Sequence, residues 1–571
     1  MIEEQSLKTT PMPQESVSFM SLGGLEDVTR NMYVYEYKDQ ILLVDCGLGF
    51  PDETMFGVDL LLPDISYLLS TCLPAGRAKK KIVGMLLTHG HEDHIGGLPF
   101  ILPQLPNFPI YASPLTAALA NEKLLEFALE PRVQTVKFDK STVQAGSFRA
   151  TFLRVTHSIP DAANIIIHTP VGNIYHGSDF KYDFTPADNK TTEFHKITKA
   201  AEEGILCLMS DSLGSERSGF SISEEALSDN FEREMRSCRG KFLVTTYSSN
   251  ISRLNQAMQA AQKLNRKVCF VGRSLIKVKA IATRMGYMHI PRGMEIPMDQ
   301  LHRYKDNQLL LFVAGSQGQE NSALTRIADG VHKDIHVRPN DLVVLSSDTI
   351  PGNEVAVNSL IDTLSKKGIR VIYSEISEDF HVSGHGASGD LKLLIALTRP
   401  RFLLPISGTY RHMIAYRTLS EKMQYARRDI FIIENGQEVI FTKNSAKLGK
   451  KIDTKNVYVD EVSGEEVENY VIRDREKLAR EGILIIMAEI SASTGQLFNS
   501  PELIIRGSSL KDIRADLSSF LGKELARELS NRDGKVTNWI HIRKLIGDIA
   551  EKYIFKKFHS RPLVLPVVIE V

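Results

Sequence analysis

The sequence lacks the marks of several large classes of protein. Only five of its 571 residues are cysteines, and no two of them have C-x-x-C spacing. This argues against a disulfide-rich secreted scaffold and favours buried thiols in a reducing compartment. No apolar run approaches the roughly 20 residues that span a membrane, and the acidic start, MIEEQ, carries no apolar signal-peptide core. These absences predict a cytoplasmic globular protein without a membrane partner.

An excess of charge of one sign is also lacking. Lys+Arg and Asp+Glu both number 69, so the formal net charge is zero. The molecule as a whole has no positive field that would attract polyanions indiscriminately. Any contact with nucleic acid must therefore come from a local basic groove.

The apolar runs that are present predict an α/β protein of several domains. At about 150 residues per domain, the length predicts three or four domains. Apolar runs at 41–44, 82–87 and 165–167 are bounded by turn residues, which is typical of buried strands. Between residues 220 and 375 strand patterns alternate with helical patterns, which predicts a parallel α/β unit. Residues 443–455 are basic and polar without an apolar period, which indicates a linker.

The most informative segment is THGHEDHIGG at residues 88–97, which follows an apolar strand pattern. Its candidate metal ligands are His89, His91, Asp93 and His94. Imidazoles and carboxylates are ligands of zinc and related metals. Because alternate residues at a strand end point the same way, His89 and His91 can reach one ion while Asp93 and His94 reach a second. A solvated polar loop is the plain alternative, but ordinary loops rarely concentrate ligand types in this way.

Two metal sites need further ligands from other strand ends. His157 follows the alternating run 152–155, and Asp179 follows the short run 173–175. Either residue alone could equally be a satisfied polar side chain, but together with the first segment they form a ligand set. An aspartate between two ions can bridge them and offset their mutual repulsion. Asp45, which ends an earlier apolar run, is a candidate to orient a ligand from behind.

This string and the order of its ligands resemble the metallo-β-lactamase superfamily. Further motifs resemble one branch of it, the β-CASP nucleases of the ribonuclease J family, over nearly the whole chain. These motifs are Ser210-Asp211-Ser212, Ser249-Asn250, Gly272-Arg273-Ser274, Gly315-Ser316-Gln317-Gly318 and His381-Val382-Ser383-Gly384-His385. The resemblance implies an α/β fold, an αββα metallo-β-lactamase sandwich with an inserted parallel α/β β-CASP domain and a small α+β C-terminal domain. The implied boundaries are 1–210 and 376–442 for the two parts of the sandwich, 211–375 for the insertion, 443–458 for a linker and 459–571 for the last domain.

The resemblance also implies an activity, the 5′→3′ exonucleolytic and endonucleolytic cleavage of single-stranded RNA in RNA maturation or decay, with 5′-monophosphate ends preferred. It implies two divalent cations, zinc first and manganese or magnesium as alternatives, held by His89, His91, Asp93, His94, His157 and Asp179. The implied catalytic residues are Asp93, Asp211 and His385. The implied RNA- and phosphate-binding residues are Ser249, Ser252, Arg253, His381, Ser383, Gly384 and His385. Homodimers or homotetramers are expected on the same ground.

The sequence departs from the family's pattern at two functional positions. Ser407 stands where the family usually has a histidine that ligates the second ion, and a neutral hydroxyl is a weak substitute. We therefore expect the second ion to bind less tightly, with His412 as a less favoured replacement ligand. Ser252 stands where the family has a histidine in the phosphate pocket. Because Ser252 brings no charge, recognition of a 5′-monophosphate is expected to be reduced.

Three functions compete on these observations. The intact segment 88–97 favours an active nuclease. Ser407 and Ser252 favour a catalytically attenuated paralogue that binds RNA or a catalytic partner within a ribonuclease J complex. A hydrolase of small esters or thioesters is the third alternative. The insertion at 211–375 argues against it, because a small substrate needs no long channel.

Overall fold

The computed structural model of the protein describes residues 15–52, 55–72, 79–350, 352–374, 376, 380, 382–460, 464, 466–491, 493–508, 514–530 and 539–571. Contacts divide the chain into two compact units, residues 1–50 with 61–457 and residues 51–60 with 458–571. Of the helices within these ranges, none combines the length and the apolar character that a membrane span requires.

The first unit contains two sheets that pack face to face. In spatial order, the larger sheet consists of β20 (Ala446–Lys451), β19 (Gln437–Phe441), β1 (Val17–Gly23), β2 (Met32–Tyr37), β3 (Gln40–Val44), β5 (Lys81–Leu87), β6 (Ile110–Ala112) and β7 (Val133–Thr135). The smaller sheet consists of β18 (Phe402–Ile406), β12 (Ile205–Asp211), β11 (Gly172–Gly177), β10 (Ala163–Thr169), β9 (Phe148–Arg154) and β8 (Thr142–Ala145). Phe19 and Tyr35 from the larger sheet meet Phe152 and Ile165 from the smaller one in a single buried cluster. Because successive side chains of a strand point to opposite faces, alternate residues of these strands enter this cluster.

Helices surround the two sheets of this unit. They are α1 (Ser66–Cys72), α2 (Glu92–Ile95), α3 (Leu98–Ile101), α4 (Pro114–Glu126), α5 (Phe194–Glu202), α11 (Ser388–Thr398) and α12 (Tyr410–Lys422). Apolar side chains of α5, α11 and α12, among them Ile197, Leu394 and Tyr416, cover the outer face of the smaller sheet. The sheet is thereby buried on both faces. Short 3₁₀ helices lie at Leu102–Gln104, Phe138–Lys140, Met298–Arg303, Asp306–Gln308 and Arg427–Asp429.

The predicted parallel α/β unit is present between the two parts of the sandwich. Its five strands, in spatial order, are β14 (Lys267–Val271), β15 (Leu309–Val313), β13 (Phe242–Thr245), β16 (Leu342–Leu345) and β17 (Arg370–Ile372), and all neighbours are parallel. Its helices are α6 (Ala226–Ser237), α7 (Ile251–Lys263), α8 (Arg273–Arg284), α9 (Ala323–Asp329) and α10 (Glu354–Lys366). Every residue of β15 is buried, which explains its continuous apolar sequence.

The second unit is a small α+β structure. It contains β22 (Ile483–Ile490), β23 (Glu502–Arg506), β24 (Leu563–Glu570), α13 (Asn469–Glu481), α14 (Arg514–Ser530) and α15 (Trp539–Phe558). Leu517, Leu521, Leu525 and Leu529 on α14 are all buried, so the four-residue apolar period in this region marks a helix face. The remaining short strands are β4 (Leu60–Leu62) and β21 (Val457–Val459).

The segment predicted as a linker differs from that expectation. Within residues 443–458, β20 forms a regular strand that pairs with β19, with Val439 opposite Leu448. Its side chains are half-buried or exposed, so they follow no apolar alternation. Backbone hydrogen bonds to β19 form this strand. These bonds cannot be predicted from the pattern of side chains.

A buried charge cluster joins the sandwich to its insertion. Glu224 lies 3.1 Å from Lys181, which follows β11, and 2.9 Å from Arg253 on α7. All three side chains are at most 5% exposed. Although burial opposes ionisation, the cations of Arg253 and Lys181 lower the pKa of Glu224 to about 2. Removing one member of such a cluster leaves a buried charge without a partner.

We therefore expect Glu224→Gln to destabilise the protein by about 3–5 kcal/mol, since two buried cations lose their shared carboxylate. Urea denaturation followed by fluorescence measures the change. Glu232→Gln is the matched control, because Glu232 pairs with Lys263 and Arg236 at the surface and should leave the unfolding midpoint nearly unchanged. Equal midpoints for Glu224→Gln and the wild-type protein would contradict the expectation.

Candidate metal centre

The predicted ligands lie where strands end. The positions are His89 and His91 after β5, Asp93 and His94 in α2, His157 after β9, Asp179 after β11 and Asp211 at the end of β12. In the smaller sheet β9, β11 and β12 run in the same direction, because β10 between the first two is antiparallel to both. Their carboxyl ends therefore meet at one edge of the sheet.

Four side chains converge to form a first group. His89 Nε2 and His157 Nε2 each lie 3.1 Å from His91 Nδ1. Asp179 Oδ2 lies 3.7 Å from His89 Nε2 and 3.8 Å from His157 Nε2. Atoms about 2.0–2.1 Å from a tetrahedral zinc ion stand about 3.4 Å apart. The first group therefore has the separations of a single cation site.

A second group shares Asp179 with the first. His94 Nε2 lies 3.4 Å from both Asp179 Oδ2 and Asp93 Oδ2. On the other side of the ring, His94 Nδ1 lies 2.8 Å from Asp45 Oδ2. Asp45 also accepts hydrogen bonds of 2.8 Å from the backbone N–H and the hydroxyl of Thr88. These bonds hold Asp45 against the side of the His94 ring that faces away from the group.

A histidine and an aspartate stand beside these groups. His385 Nδ1 lies 2.8 Å from Asp211 Oδ2, and His385 Nε2 lies 3.8 Å from Asp179 Oδ2. Asp211 is fully buried. Although burial opposes protonation, the carboxylates of Asp211 and Asp179 raise the pKa of His385 to about 9. The two carboxylates thus favour the protonated form of the ring.

Burial keeps the imidazoles of the first group neutral. It lowers the pKa of His89 and of His157 well below the usual value, and it lowers the pKa of His91 to about 4. A neutral imidazole retains a lone pair for a metal ion. The Nδ1 atom of His157 bonds to the carbonyl of Gly384 at 2.7 Å, which leaves Nε2 directed into the group.

The second group has an excess of negative charge. Although burial opposes protonation, the carboxylates of Asp93, Asp179 and Asp45 raise the pKa of His94 well above its usual value. The same field attracts a divalent cation. Asp179 Oδ1 is buried and has no hydrogen-bond partner among the described atoms, and a cation would satisfy it. The donors of the two groups, which share Asp179, therefore fit divalent cations.

Several predicted RNA-binding residues lie next to this centre. Ser252 lines a small polar cavity together with His157. The hydroxyl of Ser383 accepts a hydrogen bond of 3.2 Å from the backbone N–H of His385. A Cβ at Gly384 would stand 2.7 Å from His157 Cε1, so only glycine fits there. Ser249 is half-buried just before α7.

Arg253 requires a correction. The sequence predicted that it binds phosphate, but its side chain is 0% exposed, and it donates to Glu224 and to Ser346 Oγ at 2.7 Å. The inward face of α7 places the guanidinium in the charge cluster, where RNA does not reach it. His381, another predicted phosphate-binding residue, lies outside the described residues.

The two candidates for the missing ligand of the second group are engaged elsewhere. Ser407 is buried, and its Oγ lies 3.3 Å from Asn31 Oδ1. His412 Nδ1 lies 2.9 Å from Thr409 Oγ1 at the start of α12, and its Nε2 lies 3.5 Å from Glu216. His412 belongs to none of the ligand groups found in the part of the chain that the structure describes.

Three family models match parts of the chain. The model described as "Beta-lactamase superfamily domain" matches residues 41–197. That of "Ribonuclease J, beta-CASP domain" matches residues 239–364, and that of "Ribonuclease J C-terminal domain" matches residues 470–571.

Curated proteins match the chain over nearly its full length. "Ribonuclease J" of Thermus thermophilus is 35% identical over 568 residues, which cover 98% of this chain and 96% of that protein. "Ribonuclease J 1" of Streptococcus pyogenes is 33% identical and is covered to 97%, as is this chain. The chain belongs to the ribonuclease J family. "Ribonuclease J2" of Bacillus subtilis, also 33% identical, matches 98% of this chain and 99% of its own length. The predicted family and its three-part fold are thus confirmed.

A solved structure supports the fold alone. A crystal structure of a protein of unknown function from Enterococcus faecalis aligns with a TM-score of 0.54 and 18% identity. It covers 75% of this chain and 100% of its own.

One polar residue at the centre of this ribonuclease J family member was not predicted as functional. Asn31 is fully buried, and its Nδ2 lies 3.1 Å from His94 Nε2. Its sequence signal is a polar side chain directly before β2, a strand whose six residues are all buried. Nothing along the chain links that position to His94.

Asp179→Asn should lower the metal content of the purified protein below that of the wild type, because the carboxylate belongs to every ligand group. Inductively coupled plasma mass spectrometry after gel filtration measures the bound ions per chain. Asp139→Asn removes an exposed carboxylate and serves as the charge-matched control. Retention of the wild-type metal content by Asp179→Asn would show that the cations bind elsewhere.

Proposed function

We propose that the protein is a ribonuclease J-like enzyme that hydrolyses RNA phosphodiester bonds in RNA maturation or decay, with a metal centre built on Asp179. The observation that carries this proposal is the convergence of histidines from separate loops on one carboxylate, in a chain of the ribonuclease J family. The proposed ligands are His89, His91, Asp93, His94, His157 and Asp179.

The chemistry follows from the arrangement of these groups. Divalent cations bound there would polarise the phosphate and favour attack by water. His385 Nδ1 lies 2.8 Å from Asp211 Oδ2. We assign His385 as the donor to the departing oxygen and Asp211 as the residue that orients and charges it. Asp93 has 24% of its side chain exposed, so it faces the approaching substrate.

The preferred cation is proposed to be zinc. Three neutral imidazoles and one carboxylate form a donor set that suits this ion. The second group has two carboxylates and one imidazole, which also suits manganese or magnesium.

Both exonucleolytic cleavage from the 5′ end and endonucleolytic cleavage are proposed, with a preference for 5′-monophosphorylated single-stranded RNA. Ser252 and Ser383 offer hydroxyls beside the centre, and Ser249 offers another just before α7, but none of the three carries a charge. The preference is therefore expected to be modest. An attenuated, RNA-binding subunit is the alternative that Ser252 and Ser407 favour, and RNA cleavage by the purified chain decides between the two.

The remaining assignments are also proposals. They are a homodimer or homotetramer, a cytoplasmic location, and the boundaries 1–210, 211–375, 376–442, 443–458 and 459–571.

Asp93→Ala should reduce RNA cleavage by more than about 100-fold, since even the partners that merely orient metal ligands contribute 10- to 100-fold. Cleavage of a 5′-labelled RNA resolved on a gel measures the rate. Glu92→Gln is the adjacent control, because the Glu92 side chain is 52% exposed and pairs with Lys123. Unchanged cleavage by Asp93→Ala would rule out the proposed centre.

Ser252→His should increase the ratio of cleavage rates for 5′-monophosphorylated over 5′-triphosphorylated RNA, because an imidazole adds charge where Ser252 has none. The two rates are measured on the same RNA sequence. Ser252→Ala, which adds no charge, is the control. A ratio that is the same in Ser252→His and the wild type would show that position 252 does not read the 5′ end.

A further inference from the structure

Among the described residues, the second cation group has one protein ligand fewer than the first. Its donor atoms come from Asp93, His94 and Asp179, whereas the first group has four. The carboxamide of Asn31 lies beside two of these donors, since Asn31 Nδ2 lies 3.1 Å from His94 Nε2 and 3.5 Å from Asp93 Oδ2. Within the group, His94 Nε2 lies a similar 3.4 Å from Asp93 Oδ2 and from Asp179 Oδ2. An amide nitrogen has no lone pair for a metal ion, so this position is blocked.

Hydrogen bonds fix which end of the amide faces the group. On its nitrogen side are two backbone carbonyls, Asp93 O at 3.1 Å and Val28 O at 3.4 Å. On its oxygen side are two hydroxyls, those of Tyr33 at 2.7 Å and Ser407 at 3.3 Å. Turning the amide over would set its oxygen against two carbonyl oxygens. Asn31 therefore presents N–H groups to the cation position.

The amide is also held in place. Asn31 is fully buried, and its backbone N–H donates to Asp93 O at 3.0 Å. Its side-chain oxygen packs so closely on Gly24 that a Cβ there would stand 2.3 Å away. The hydroxyl of Ser407 is turned to Asn31 and Tyr33, so it supplies no ligand to the group.

The open side of the group faces solvent. Asp93 has 24% of its side chain exposed, whereas His94 has 0% and Asp179 has 4%. A donor from outside can approach beside Asp93. The phosphate oxygens of RNA are hard anionic donors of the kind that manganese and magnesium accept.

We propose that a phosphate oxygen of bound RNA completes the second cation position of this protein, so that the second cation and RNA bind together. This inference rests on the proposed function. The first cation, with four protein ligands, binds without RNA. By linkage, RNA and the second cation increase each other's affinity by the same factor.

The test is a titration of the full-length protein with Mn²⁺, in which electron paramagnetic resonance reports the free ion. It is run with and without a short 5′-monophosphorylated RNA whose riboses are 2′-O-methylated, and a gel confirms that this RNA remains intact. We expect one tightly bound ion per chain without RNA and a second one with RNA. The affinity of the second ion should rise about 5- to 150-fold, the usual range of such coupling.

Variants at the blocked position sharpen the test. Asn31→Asp keeps the shape of the side chain and supplies a carboxylate oxygen, so it should bind the second Mn²⁺ tightly without RNA. Ser407→Ala is the matched control, because it removes a hydroxyl without adding a ligand, and its second ion should still require RNA. Ser407→His, which offers an imidazole next to Asn31, repeats the test if Asn31→Asp does not fold.

The outcomes separate this inference from the proposed function. Two tightly bound ions in the wild-type protein without RNA would overturn the inference, and so would a second ion that fails to bind when RNA is present. Failure to bind any ion, with or without RNA, would instead overturn the proposed metal centre and the inference with it.

Discussion

The carboxylate of Asp179 is the one charge on which the rest of the centre depends. It lies within 3.4–3.8 Å of the imidazoles of His89, His94, His157 and His385. These rings come from three separated segments of the chain, and without a shared anion their burial side by side would bring mainly the cost of desolvation. One oxygen, Oδ2, faces all four rings, while Oδ1 lacks a hydrogen-bond partner in the described structure. The centre is thus organised around an anion whose coordination the protein leaves incomplete.

The same segment of chain ties the centre to the inserted unit. Two residues after Asp179, Lys181 enters the buried cluster with Glu224 and Arg253. Arg253 in turn donates to the backbone carbonyl of Val382 at 3.4 Å, three residues before His385. One set of buried charges thus contacts the segment after Asp179, the insertion and the segment before His385.

Features that lie within one segment of the chain could be predicted from the sequence, whereas contacts between distant segments could not. The candidate ligands at residues 88–97 could be predicted to lie together because residue type and strand end are both visible along the chain. Asn31 was missed because only the fold brings it to His94. Arg253 was placed wrongly, since a basic residue on an amphipathic helix gives no sign of a buried partner such as Glu224. The strand β20 was taken for a linker because its pairing is made by the backbone.

The larger sheet is completed by strands from late in the sequence. Its first strand, β1, lies between β2 and β19, and Val17 pairs with Phe441. During synthesis the ribosome must release more than two thirds of the polypeptide before β19 can pair with β1. Until then a nascent chain exposes the unpaired backbone of β1, a template for association with neighbouring chains on the same messenger. Chaperones that bind extended segments thus have a defined target, the interval between the emergence of β1 and that of β19.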